Sequence, residues 1–194
     1  MKMSKQRVIC NITVHALDFV NYFNDIQYWV DHGWDHGIGV SINSEINDNL
    51  ITYLKRFPNL VVHVVAGIVP WETLVKLSSN GLKLLVLGCK DYGRGTTYLQ
   101  NHDVRANINQ LKDRIAYLYK HFKVVSFDNL ALEQLDIRST ISEEQWNTSY
   151  MGEDGSATFF IDAVENTYAR SSISERKPID VQDVNVLFRR VQNG

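Results

Sequence analysis

Lys123-Val-Val-Ser-Phe-Asp-Asn-Leu-Ala-Leu-Glu-Gln-Leu135 reads as a short apolar strand, Lys123 to Phe127, that ends in the polar pair Asp128 and Asn129. It runs directly into an amphipathic segment carrying Glu133. A strand feeding a helix in this way is the building unit of an α/β protein. Ligands of such proteins sit just outside the carboxyl ends of the strands. The junction at Asp128 is therefore the first place to look for a site.

The same rhythm recurs upstream. Leu82 to Gly88 and Leu60 to Ala66 are nearly continuous in apolar residues, as expected of strands buried on both faces. Gly37 to Ile42 and Arg7 to Val14 are two further strands. Between them, Leu17 to Val30 and Ile46 to Phe57 carry apolar residues at helical spacing, and Pro58 closes the second. Val69-Pro-Trp-Glu72 opens a short helix, with Pro70 suited to its first position. Cys89 to Gly95 is a polar loop, and Val104 to Phe122 is the longest amphipathic run. Five strand-then-helix units predict a parallel sheet with right-handed crossovers.

After the fifth strand the pattern changes. Ser142-Glu-Glu-Gln145 is a capping box opening a short helix. Met151 to Gly155 is a turn-rich loop, and Ala157–Asp162 with Asn166–Arg170 reads as a hairpin. The tail from Ser171 is polar apart from the amphipathic piece Val181 to Val191. The expected fold is α/β: a partial (β/α) barrel of about five parallel strands, followed by a C-terminal helix and β-hairpin. No repeat or linker interrupts the 194 residues. They are expected to form a single domain, with the β/α units over 1–138 and the helix, hairpin and tail over 139–194.

Composition narrows the function. Apolar residues make up 44% and charged residues 22%, which suits a globular chain able to bury one core. A net charge of -2 argues against nucleic acid or an anionic membrane as the main partner. Met1 to Arg7 lacks the apolar core of a signal peptide, and no run is long enough to span a membrane. An intracellular, cytoplasmic location follows as an expectation. Cys10 and Cys89 are too few for a disulfide framework or a cysteine zinc site.

Residues at the strand carboxyl ends converge in such a fold: His15, Asn43, Gly67, Cys89 with Lys90, and Asp128 with Asn129. The competing reading is that they cap the helices that follow, a role natural to Asp128, Asn43 and Ser44. His63, mid-strand among valines, reads as a hydrogen-bonded core histidine. Asp31-His32 and Asp35-His36 invite a metal reading, but they flank Gly33 at the edge opposite the usual site. Lys90 and Arg94, with Gly93 and Gly95, offer a weak anion loop without a Walker signature. Cys89 lacks a base and reads as a buried, inert thiol.

Val124–Leu135, Glu143-Glu-Gln-Trp146, Tyr150-Met-Gly-Glu-Asp-Gly155, Phe159-Phe-Ile-Asp162 and Ala169-Arg-Ser-Ser172 together resemble the carboxyl-terminal part of radical S-adenosylmethionine proteins of bacteria and their phages. The resemblance implies a partial TIM barrel and a nucleoside-type pocket. Members of that family hold a four-iron, four-sulfur cluster on a C-x-x-x-C-x-x-C loop. This chain has no such loop, so a cluster is not expected, whereas S-adenosylmethionine stays a candidate ligand.

The candidate ligand-binding residues are His15, Asn43, Lys90, Arg94, Asp128, Asn129, Glu133, Gly152 and Gly155; no catalytic or metal-ligating residue is assigned. The first strand should be an exposed edge, which predicts self-association or a protein partner. Three functions follow from the resemblance. The first is a cluster-less protein acting by binding, as a phage-encoded modulator of a host protein. The second is part of an enzyme whose cluster strands another polypeptide supplies. The third is a nucleoside-type small-molecule sensor.

Overall fold

A computed structural model describes residues 9–91, 94–101 and 103–193, the side chains of Arg94 and Asn101 excepted. The chain divides into two compact units, Met1–Thr140 and Ile141–Gly194. The boundary lies two residues beyond the point where the strand-then-helix rhythm stops.

The first unit holds five strands: β1 (Asn11–His15), β2 (Gly37–Ser41), β3 (Leu60–Val65), β4 (Lys83–Leu87) and β5 (Val124–Phe127). All neighbours are parallel and the sheet order is the chain order, β1-β2-β3-β4-β5. Right-handed crossovers in an unbroken order put every helix on one face, which is how a (β/α) barrel begins to close. The core agrees. Val40, Val62, Val64, Leu84 and Val86 pack with Phe19, Leu54, Leu74, Leu77, Ile115 and Leu118 in one buried cluster. Each such aliphatic chain, fully buried, contributes about 1.5–3 kcal/mol relative to exposure.

The alternate residues of β3 and β4 tell a different story from the one their apolar runs suggest. Val61, His63 and Val65, with Lys83, Leu85 and Leu87, are only half-buried and stand outside that cluster. The central strands are thus covered fully on one face, not on both. Among the described residues of the first unit, no helix contributes to a buried cluster on the second face.

The helices are α1 (Ala16–Asn21), α2 (Phe23–Asp31), α3 (Asp48–Leu54), α4 (Trp71–Leu77), α5 (Arg94–Asn101), α6 (Val104–Asp113), α7 (Ile115–His121) and α8 (Asn129–Gln134). Two expected helices are each broken once, at Tyr22 and at Arg114. The first break lets Phe19 and Phe23 both meet Phe57, at ring separations of 5.8 and 5.5 Å. The second leaves the Arg114 guanidinium 4.7 Å over the Trp71 ring. Pro70 caps α4 from outside rather than starting it. Helix α5 starts inside the expected Cys89–Gly95 loop and continues through residues given no element from the sequence; Gly95, Thr96 and Thr97 are weak helix formers that hide it. A short 3-10 turn, Ile137–Thr140, closes the unit.

The second unit has a helix, α9 (Glu143–Ser149), entered through the capping box: Gln145 N–H donates to Ser142 Oγ at 3.2 Å and Ser142 N–H to Gln145 Oε1 at 3.1 Å. The expected hairpin is β6 (Phe160–Asp162) and β7 (Thr167–Ala169), antiparallel, with a third strand β8 (Lys177–Pro178) beside β7. The final helix, α10 (Val184–Asn193), contributes Leu187 and Val191 to a small core with Tyr168. No helix among the described residues is long and apolar enough to cross a membrane.

Candidate functional site

Most of the predicted strand-end residues hold the fold together. Asn43 Oδ1 accepts the Val65 N–H at 2.7 Å, tying the end of β2 to that of β3. Asp128 Oδ1 accepts two N–H groups, from Ala131 at 2.8 Å and from Gly88 at 2.9 Å, so one carboxylate caps α8 and ties β5 to the end of β4. Gln134 completes the clasp. Its amide takes the Cys89 N–H and gives to the Cys89 carbonyl, each at 2.9 Å.

Gln134 was not among the candidates, whereas its neighbour Glu133 was. One residue turns a helix by about 100°, and Glu133 accordingly points to solvent. The spacing was readable: Gln134 lies three residues after buried Ala131 and so shares its side.

His15 caps α1. Its Nδ1 accepts the Leu17 N–H at 3.3 Å, which places the proton of the neutral ring on Nε2. Asn129 opens α8, and Lys90 lies exposed after β4. Gly93 and the Arg94 side chain, half of the proposed anion loop, fall outside the described residues. Gly152 and Gly155 belong to the second unit, both with positive φ (92° and 86°). A Cβ on Gly155 would lie 2.6 Å from Arg170 Cγ, so close packing requires this glycine.

The Cys89 thiol is buried, and desolvation pushes its pKa up, as an inert thiol requires. Cys10 precedes β1 and Cys89 follows β4, at opposite ends of a parallel sheet. Two thiols so placed do not fit an iron–sulfur cluster. The Asp31/His32 turn is also accounted for. Asp31 accepts from Gln27 Nε2 at 2.8 Å, and the His32 ring stacks 3.9 Å from Tyr28. Among the described residues no group of His, Cys, Asp and Glu could hold a metal ion.

What remains is the helix-free face. Register aligns His15, Ser41, His63, Leu85 and Ser126 across all five strands. Adjacent strands lie about 4.8 Å apart, so the two histidine backbones are about 10 Å from each other. Gly39 makes room for the second ring: a Cβ there would stand 2.4 Å from His63 Cε1 and 2.8 Å from Thr13 Oγ1.

The core-histidine expectation fails in one respect. The His63 ring makes no hydrogen bond with a described residue, and desolvation holds its pKa below the ordinary histidine value. The folded state therefore takes up fewer protons than the unfolded chain once pH falls below about 6.5. Stability is predicted to fall on acidification through that value, and to fall less in His63→Gln. Urea unfolding at neutral and mildly acidic pH reads both slopes; equal slopes would remove His63 from the account.

These features define an open parallel (β/α) array, the class of a partial barrel. No protein-family model, curated protein or solved structure matches the chain. His15, Asn43 and Asp128 serve the backbone, and the helix-free face and the edge of β1 beside it are not taken up by these groups.

Proposed function

We propose that the protein acts by binding a polypeptide, without chemistry of its own, as a partial (β/α) barrel similar to the radical S-adenosylmethionine fold but lacking its cluster loop. The partner is a second copy of the chain, and the contact is the free edge of β1. The observation that carries this reading is the edge itself. Asn11-Ile-Thr-Val-His15 contains no lysine, no acidic residue and no proline, the devices that ordinarily protect an edge strand. Large apolar residues before and after it in the chain are exposed: Ile9 at 74%, Leu17 at 64% and Tyr22 at 57%. The other edge, β5, is shorter and begins directly after Lys123.

The direction of pairing follows from the main chain. Cys10 C=O accepts the His36 N–H at 2.8 Å, facing β2. By the alternation of a strand, the main-chain groups of Asn11, Thr13 and His15 then face outward. Two such edges related by a twofold axis pair antiparallel and continue both sheets.

Light scattering on the eluting particle tests this. The expected mass is twice the 22.3 kDa of the chain. Thr13→Pro, which removes an outward N–H and leaves the β2 ladder intact, should return a folded particle of half that mass. A wild-type monomer, or a Thr13→Pro dimer, would sink the proposal.

A further inference from the structure

A cavity of about 410 Å³ lies in the first unit, between the loop after β3 with the start of α4 and the side of α6 that carries Asn107, Gln110, Leu111 and Arg114. One wall is pinned. Asn107 Nδ2 donates to the Gly67 carbonyl at 3.1 Å, and Gly67, at φ 76°, leaves no room for a Cβ, which would stand 2.6 Å from the Val104 carbonyl oxygen. The loop after β3 is thereby held against α6, and the cavity is preformed. Its floor is apolar, with Val69, Leu74 and Leu111 buried beneath it.

Two opposite charges line this space, Glu72 and Arg114. Neither side chain forms an ion pair or hydrogen bond with a described residue, each other included; the Arg114 guanidinium only stacks on Trp71. The Gln110 amide on the same wall also makes no hydrogen bond with a described residue. Its size falls in the range of small-molecule sites, some 300–1,000 Å³, and its lining sets polar groups that can fix a ligand's orientation around that apolar floor. An acid and a base that share a cavity without meeting select a ligand carrying both complementary charges.

We propose that this cavity binds a free α-amino acid with an apolar or amide side chain. Its ammonium group pairs with Glu72 and its carboxylate with the Arg114 guanidinium, a fork suited to carboxylates. The side chain lies over Trp71 and the apolar floor. The site is independent of the β1 edge, so its failure leaves the dimer proposal standing, and the reverse.

The test is an amide NMR titration of the full chain with glycine, L-leucine, L-phenylalanine and L-glutamine, beside N-acetyl-L-leucine and L-leucine amide, each of which lacks one charge. At concentrations up to about 10 mM, enough to saturate a millimolar site, at least one free amino acid should shift the resonances of 67–72 and 107–114. The two capped leucines should bind at least tenfold more weakly than leucine. Glu72→Gln and Arg114→Gln should each weaken binding about tenfold; both side chains are exposed, and an unchanged melting temperature shows that the variants fold. No shift in those segments, equal binding of the capped forms, or unchanged affinity in both variants would overturn the assignment.

Discussion

Replacing Gly88 by valine is expected to cost about 3 kcal/mol or more, at or beyond the upper end for overpacking a close contact. Even the first added carbon is the problem. A Cβ at Gly88 would stand 2.4 Å from Leu130 Cγ and 2.8 Å from the Ala131 main-chain nitrogen. The leucine side chain could yield, but the backbone of α8 cannot move alone. Shifting it away from β4 would stretch the bond from Gly88 N–H to Asp128 and the paired bonds between Gln134 and Cys89. For a chain of this size each kcal/mol lowers the melting temperature by about 2–4 °C, so the variant should melt at least about 6–12 °C lower. Calorimetry or circular dichroism reads this directly. A melting temperature within a degree of wild type would mean that β4 and α8 are not packed as described.

Asp128→Ala is expected to have a similar effect through the opposite change, a removed group rather than an added one. Losing a helix N-cap costs about 1 kcal/mol. Losing a charge-assisted hydrogen bond that leaves a partly buried donor unpaired costs about 1.5–3 kcal/mol. The two losses share one oxygen and do not simply add, so about 2–4 kcal/mol is expected from urea unfolding. Asp128→Asn keeps an acceptor oxygen and should lose clearly less. An alanine variant as stable as wild type would return Asp128 to the pool of free strand-end groups and reopen a ligand-binding role at the mouth.

Much of the architecture was legible in the sequence because strand and helix periodicities leave distinct traces. The runs at Leu60 and Leu82 and the junction at Asp128 declared a parallel α/β fold, and the capping box at Ser142 declared its helix. The breaks at Tyr22 and Arg114 left no such trace. Neither is a glycine or proline, and both arise from tertiary packing: an aromatic trio at Phe57 and the stacking of Arg114 on Trp71. Strand β8 was hidden because Lys177–Pro178 is only two residues long and contains a proline. At the candidate site the residue types were readable but their use was not. Asp128 and Asn43 carry groups that suit a ligand or a backbone equally, and only the neighbouring N–H groups of Gly88, Ala131 and Val65 decide between them. The half-covered second face of β3 and β4 was equally invisible, since valine and leucine give the same apolar run whether one helix layer covers the sheet or two.

The central claim, that β1 meets a second copy of itself edge to edge, is tested most directly by amide hydrogen exchange at Asn11, Thr13 and His15 as a function of protein concentration. These outward N–H groups should be protected in concentrated solution and lose that protection on dilution, while the Cys10-facing bond of His36 exchanges at the same rate throughout. Fast exchange at Thr13 at every concentration would contradict the account.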